Sequence, residues 1–577
     1  MRHRLCLGLA SLVTVAALRG QQPPPLSTAF PGAPALVDVV QVTSDTSPDT
    51  WPALGFADTG ATGLLLFAED VGWNTGSSCN HRHVMYSATF GAAGLGPASA
   101  VPTQAIARHG LYSIAFRPAA TSAFVTLNTS IPNGANYCAD DVASTVWSGG
   151  AFGPIARFDD GLDDDDLNGA VAYLSNGNHA LVVWNDQPGS WPGSYDWTVR
   201  ARLWDELTGT LGPNVTIEPG GVSPWRDMRV ADGRGVAAIP GQSAWVVAYG
   251  GSSYTGAAAT FDPFYRIVTL TGGTLTVGPQ QALAAVNNGV EDGRPVIAFR
   301  GTNGVAVWSE RVGGLDLEVM AAVWDPLSGA FGPAVQLTDD DAEDAICAGP
   351  SGANSSGNVI ATDTGFHIVY ERQEPGEPDR ELAWLWFDGV LASHPVRLTD
   401  DGLDDEHVDA AIDGNGIVHL AWKQGPVSAA ITAADEILVG RLAFPTVGTA
   451  INGGAFDASA KNAFANDLVA FGPAPGVHPT LAPSPLALIA NFGATPVASG
   501  TTMLQGTVIP NLVALSLLSA PPGSEIVLGT SLGAVPMTFT APAGMAGIQL
   551  RVQGLALWPA IGSLPVLATS DLRITFL

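Results

Sequence analysis

The sequence predicts an all-β chain: seven four-stranded sheets closed into a ring, followed by a second all-β domain. Three observations carry this. A Gly-Pro pair ends a strand-like run at Gly96-Pro97, Gly153-Pro154, Gly212-Pro213, Gly278-Pro279 and Gly332-Pro333, with His394-Pro395 in the sixth place, at intervals of 54 to 66 residues. In phase with it, an apolar run ends in an aromatic and then polar residues: LLLFAED, LVVWND, WVVAYGG, VAVWSE, HIVYER and HLAWKQ. Those aromatics are Phe67, Trp184, Tyr249, Trp308, Tyr370 and Trp422, and Leu127 of AFVTLN fills the one gap. Third, the last unit stops after EILVGRLAF, one strand short, while residues 38–50, DVVQVTSDTSPDT, carry the missing apolar-x-Thr-x-Asp strand. Four short strands per unit, repeated seven times, describe a seven-bladed β-propeller over residues 36–445 closed by the N-terminal strand. Closure removes two exposed sheet edges.

Taken in order, MRHRLCLGLASLVTVAALRG has a basic start, an apolar stretch from Leu5 to Leu18 and small residues after it, the pattern of a signal peptide over residues 1–20. A secreted or cell-surface location follows. No later run reaches the roughly 18 apolar residues of a membrane span, so none is predicted. Within the units, β-branched and aromatic runs sit between Gly, Asn and Asp turns, as in AAIDGNGIVHLAW, where Asp413 to Gly416 supplies a tight hairpin. The segment around 104–155 is the weakest of the seven units. Residues 446–471 read as a linker with one short helix near Asp457 to Phe471. Residues 472–577, with runs such as LALIANF, SEIVLGT and DLRITFL between Gly and Pro, predict a C-terminal β-sandwich.

Units such as RLTDDGLDDEHVDAAIDGNGIVHLAW resemble the broad class of secreted bacterial β-propellers that includes sialidase-like folds. The resemblance spans residues 36–445 and implies the fold alone, since the sialidase Asp-box S-x-D-x-G-x-T-W is absent. The ending MAGIQLRVQGLALWPAIGSLPVLATSDLRITFL resembles the C-terminal domain of secreted planctomycete-type proteins and implies no chemistry.

The net charge of −29 comes from residues 21–451, since the first 20 residues are basic and residues 452–577 are nearly neutral. So acidic a surface repels nucleic acid and anionic lipid, which leaves cations, glycans and protein ligands as partners. The acids concentrate in RFDDGLDDDD, QLTDDDAEDA, RLTDDGLDDEH and QVTSDTSPDT, each between one blade's outermost strand and the next blade's innermost one. They therefore project from one face. The insertions between second and third strands, EDVGWNTGSSCNHRH, NDQPGSWPGSYDWT and GGSSYTGAAATFDPF, emerge there too. This makes Trp73, Trp191, Tyr195, Trp197 and Tyr254 the candidate ligand-binding aromatics, suited to stacking on sugars.

Calcium is the candidate ion, and no other cofactor is predicted. Asp164, Asp166 and Asn168 open a D-x-D-x-N-G run, although Ser175 stands where an EF-hand has its bidentate Glu. Asp400 and Asp404 of RLTDDGLDDEH complete the candidate metal set. Solvated, turn-forming Asp is the alternative. Three cysteines follow the signal segment: Cys79, Cys138 and Cys347. A Cys79–Cys138 disulfide is expected from their corresponding positions in adjacent blades, in competition with a soft metal site at Cys79, His81 and His83. No Ser-His-Asp triad, P-loop or dinucleotide fingerprint is present. The expected function is a non-catalytic binding or cell-surface module. The alternative is a propeller glycoside hydrolase or lyase, with two carboxylates about 5 to 9 Å apart near the central channel.

Overall fold

Successive residues of a strand point to opposite faces, so a strand buried on both sides reads as an unbroken apolar run. The repeats behave in this way. Along Gly63–Trp73, Leu64 and Leu66 pack with Ala123, Val125 and Leu127 of the following blade, while Leu65 and Phe67 pack with Ala421, Ile437 and Val439 of the last one. Leu181 and Val183 face one neighbour, Val182 and Trp184 the other. The core therefore lies between blades. Each large side chain fully buried there contributes about 1.5–3 kcal/mol.

The computed structural model describes residues 34–444 except 45–46, 74–80, 102–111, 134–136, 158–164, 188–196, 220–227, 232–233, 253–260, 286–289, 291, 313–315, 341, 347–356, 364, 391, 394 and 428–434, together with strand segments between 456 and 576. Seven antiparallel sheets follow one another along the chain. Their innermost strands are Asp49–Phe56, Ser113–Phe116, Asp165–Tyr173, Met228–Val230 with Val236–Ala238, Val296–Arg300, Glu343–Ala345 with Asn358–Ala361, and Asp404–Ile412. The weak unit is a complete second blade, with Ser113–Phe116, Ala123–Asn133 and Tyr137–Ser148 in register. All seven marker residues, Leu127 included, are buried on the second strands.

The Gly-Pro pairs mark a shared device on the outer edge. In all five, the glycine N–H donates at 2.8 Å to a carbonyl of the third strand: Gly96 to Thr89, Gly153 to Val146, Gly212 to Leu203, Gly278 to Ile267 and Gly332 to Val323. The proline that follows has no N–H, so the ladder breaks and the outer strand becomes two short pieces, such as Gly94–Leu95 and Ser99–Ala100. Short, interrupted edges resist pairing with another chain. Glycine is needed for closeness: a Cβ at Gly278 would stand 3.1 Å from the Ile267 oxygen.

The ring closes as expected. Ala35–Gln41 pairs antiparallel with Glu436–Ala443, with Val40 opposite Val439 and Gln41 opposite Leu438. Val42 N donates to Ile437 O at 2.8 Å, and the Thr43 hydroxyl accepts from Ile437 N at 2.9 Å. On the opposite face, Gly414 N of the last blade donates to Gly60 O of the first at 2.8 Å.

The chain divides into two compact units, Pro34–Ala443 and one containing Phe444–Leu577. The second has a three-stranded sheet from Phe456–Ala458, Leu468–Pro473 and Met537–Thr540, and a five-stranded sheet from Asn462–Ala463, Val566–Phe576, Gln549–Leu557, Pro485–Phe492 and Ile526–Leu532. The described residues of the stretch near 457–471, where a short helix is expected, are strand. Leu468, Val469 and Phe471 instead pair with Met537–Thr540, because available partner strands outweigh weak local preference. Among the described residues, no helix is long and apolar enough to cross a membrane.

Candidate functional site

In an up-and-down sheet the start of strand one, the turn between strands two and three, and the end of strand four share one face. The acidic connections meet the inner strands there. Asp49, Asp166, Asp292, Asp344 and Asp405 occupy one register position, opposite Glu69, Asp186, Glu310, Arg372 and Gln424 respectively. Each of these partners stands two residues past its repeat aromatic. All five aspartates are 1% exposed or less. Asp166 accepts the Trp184 indole N–H at 2.9 Å, and Asp405 that of Trp422 at 2.8 Å. The acid at this register position is thus a core residue in each of the five blades.

Three inner strands bulge just past that position, between Thr50 and Ala53, Leu167 and Ala170, and Glu406 and Asp409. Trp51 and His407 occupy the bulges at φ 50° and 56°, a conformation costly for residues other than glycine. Their rings meet edge-on at 6.1 Å. One step further along, Asp409 accepts from Leu54 N of blade 1 at 2.7 Å, Asn358 Nδ2 of blade 6 at 2.7 Å and its neighbour Ala410 N at 2.7 Å. It also pairs with Arg234 of blade 4 at 2.9 Å, and Arg234 donates to Gly357 O at 2.9 Å. Blades 4 and 7 are not neighbours, so this ion pair spans the central channel.

Asp186, Glu218, Glu406 and Glu371 are engaged as well. Thr198 and Arg200 donate to Asp186 at 2.9 and 2.5 Å, and Tyr249 and Arg266 reach Glu218, each at 2.7 Å. Lys423 and Arg380 hold Glu406 at 2.8 and 3.0 Å, and Glu371 accepts from His407 N at 2.7 Å. Burial, reinforced by Lys423, depresses His407 to about 3 and keeps it neutral. Burial and then the Glu310 carboxylate push Asp292 up to about 9, and burial pushes Asp344 up to about 8 against the Arg372 guanidinium. Asp405 rises to about 7 through burial and the Asp401 and Glu381 charges, against the Thr399 hydroxyl and the Gln424 amide.

The expected site residues scatter. Trp191, Tyr195, Tyr254, Asp164 and Cys79 lie outside the described residues, and for Trp73, Asn168 and Cys138 only the strand backbone is described. Trp197 does not stand on the rim: it is 6% exposed, drawn into the core where it leads into Thr198–Asp205. Asp166 meets the Trp184 indole. Asp400 is exposed beside Arg397 at 3.2 Å, and Asp404 accepts from Arg380 N at 3.0 Å. The acids that do converge lie one position further along, at Asp401 and Asp405, with Glu381 from the third strand of blade 6; one oxygen of each lies within 4.8 Å of the others. Glu381 was missed because it is 20 residues away in sequence, and only strand pairing brings it near.

No protein-family model matches the chain, and no curated protein matches it. Solved structures similar to it include Penicillium chrysogenum alpha-L-arabinanase, at 14% identity and TM-score 0.37 over 59% of this chain and 94% of that one. Trypanosoma rangeli sialidase matches at 10% identity and TM-score 0.35 over 83% and 89%, and the parainfluenza virus 5 hemagglutinin-neuraminidase ectodomain at 7% and 0.39 over 71% and 86%. These are propellers of the sialidase and arabinanase type. Identity this low carries neither family membership nor activity to this chain.

Proposed function

We propose that this chain is a secreted or cell-surface binding module without catalytic chemistry, presenting its acidic propeller face to a glycan or protein ligand. The observation that carries this reading is Asp409. This carboxylate of the channel is held by three N–H donors and a guanidinium. Hydrolysis of a glycoside needs an acid free to give its proton and a second carboxylate facing the substrate. The leader-like opening supports export. In this reading Trp73, Trp191, Tyr195 and Tyr254, which the sequence assigns to the insertions, are the residues that stack on the ligand.

One observation favours the hydrolase alternative. Asp292, kept protonated up to about pH 9 beside Glu310, has the charge state of a general acid. Its complete burial opposes contact with a substrate. A glycan-array screen with and without calcium, followed by reducing-sugar release on every glycan retained, separates the readings. Retention without turnover is the expected result. Turnover that is lost in Asp292→Asn would assign hydrolysis instead, and an array retaining nothing would turn the search to protein ligands.

A further inference from the structure

The connections entering blades 6 and 7 are built alike. Val319 N and Leu382 N donate to the Thr338 and Thr399 hydroxyls, both at 2.9 Å. Asp340 N and Asp401 N donate to Glu318 Oε1 and Glu381 Oε1, both at 3.2 Å. Ala342 N and Leu403 N donate to Asp340 Oδ1 and Asp401 Oδ1 at 3.1 and 3.0 Å. Each connection thus assembles a Glu, an exposed Asp and a buried Asp: Glu318, Asp340 and Asp344 in one, Glu381, Asp401 and Asp405 in the other.

What lies among the acids differs. Arg372 reaches between Asp344, at 3.0 and 3.3 Å, and Asp340, at 3.1 Å, and supplies a cation. Its register equivalent in the next blade is Gln424, whose uncharged Nε2 bridges Asp401 Oδ2 at 2.8 Å and Asp405 Oδ1 at 3.0 Å. Arg397 reaches Glu381 Oε1 at 2.9 Å while also holding Glu377 and Asp400. Glu381 Oε2 and Asp405 Oδ2 are buried with no hydrogen-bond partner, on side chains no more than 2% exposed. A buried carboxylate oxygen without a partner is costly.

We propose that Glu381, Asp401 and Asp405 bind a divalent cation, calcium by preference, in the place that Arg372 fills one blade earlier. Calcium takes six to eight oxygen ligands in irregular geometry. The two unpartnered oxygens and exposed Asp401 supply three, solvent reaches the site beside Asp401, and a turn of the Gln424 amide presents its oxygen as a fourth. Magnesium, which demands near-octahedral geometry and keeps its waters, binds more weakly here.

The test uses the full chain stripped with EDTA. Terbium, a luminescent calcium substitute, is excited through Trp422, whose indole lies 2.8 Å from Asp405. The expected result is sensitised emission displaced by calcium, one calcium per chain by calorimetry, and an unfolding midpoint that rises with calcium. Asp401→Asn, at an exposed position, should weaken calcium binding by about tenfold or more. Gln424→Arg, copying the Arg372 arrangement, should abolish both signals and leave the calcium-free midpoint at or above that of the parent. Absence of emission and of a midpoint shift at millimolar calcium overturns the proposal. So do responses that persist undiminished in both variants, since calcium would then be binding elsewhere on the acidic surface.

Discussion

The connections into blades 6 and 7 begin from related sequences, QLTDDDAEDA and RLTDDGLDDEH, and fold their backbones onto the same hydrogen bonds. They part on a neighbouring strand, two positions past the repeat aromatic, and at the head of the run, where Gln336 stands in the place of Arg397. On the neighbouring strand Arg372 turns one acid cluster into an internal ion-pair network, while Gln424 leaves the other with two unpartnered buried oxygens. Blade 5 offers a third case, in which Glu310 faces Asp292 and the pair is relieved by keeping a proton. An acidic run therefore does not state its own chemistry. The residue brought opposite by the strand register decides whether the buried aspartate meets a guanidinium, an amide or another acid.

The largest expected effect comes from making the first cluster resemble the second. Arg372→Gln removes the guanidinium from a buried carboxylate and should cost about 3 kcal/mol in urea unfolding, part of it recovered in calcium. A loss without any calcium response would break the equivalence of the two clusters. Next, Trp422→Phe and Trp184→Phe each take an indole donor from a buried aspartate and should each cost about 2 kcal/mol. Calcium should reduce the cost at Trp422 and leave that at Trp184 unchanged, as read from paired denaturation curves.

The third prediction concerns pH. Asp292 titrates near 3.8 in an ordinary setting and at about 9 here, so between those values the folded chain holds a proton that the unfolded chain has lost. Its stabilisation is complete below the lower value, declines as pH rises and is gone above the upper one. Asp292→Asn, which cannot ionise, should flatten this decline, with its largest advantage over the parent near pH 9. Parallel profiles for the two proteins would show that Asp292 does not keep its proton there. The smallest effect is expected at Asp400→Asn. Its exposed pair with Arg397 should contribute less than about 1 kcal/mol, and calcium affinity should barely change.

Much of the ring was legible because it repeats. The Gly-Pro pairs and the buried aromatics lie in the same register from blade to blade, and Val40 finds Val439 as the unfinished last unit required. The candidate site was less legible for a geometric reason. Neighbouring residues on a strand face opposite ways, so within one run of acids Asp404 caps the Arg380 N–H while Asp405 turns to Trp422 and Glu381. Trp197 was misplaced on the rim because an insertion's length marks where it emerges but not which of its residues returns to the core.

By itself, the sequence determined the number of blades, the strand that seals them and the face on which the acids gather. Those properties follow from period and polarity, which are local and repeated seven times. Only the tertiary structure decided that Arg234 reaches across the channel to Asp409, and that Glu381, Asp401 and Asp405 share one small volume. Such contacts join residues far apart in the chain, and a single step in strand register would send each side chain to the opposite face.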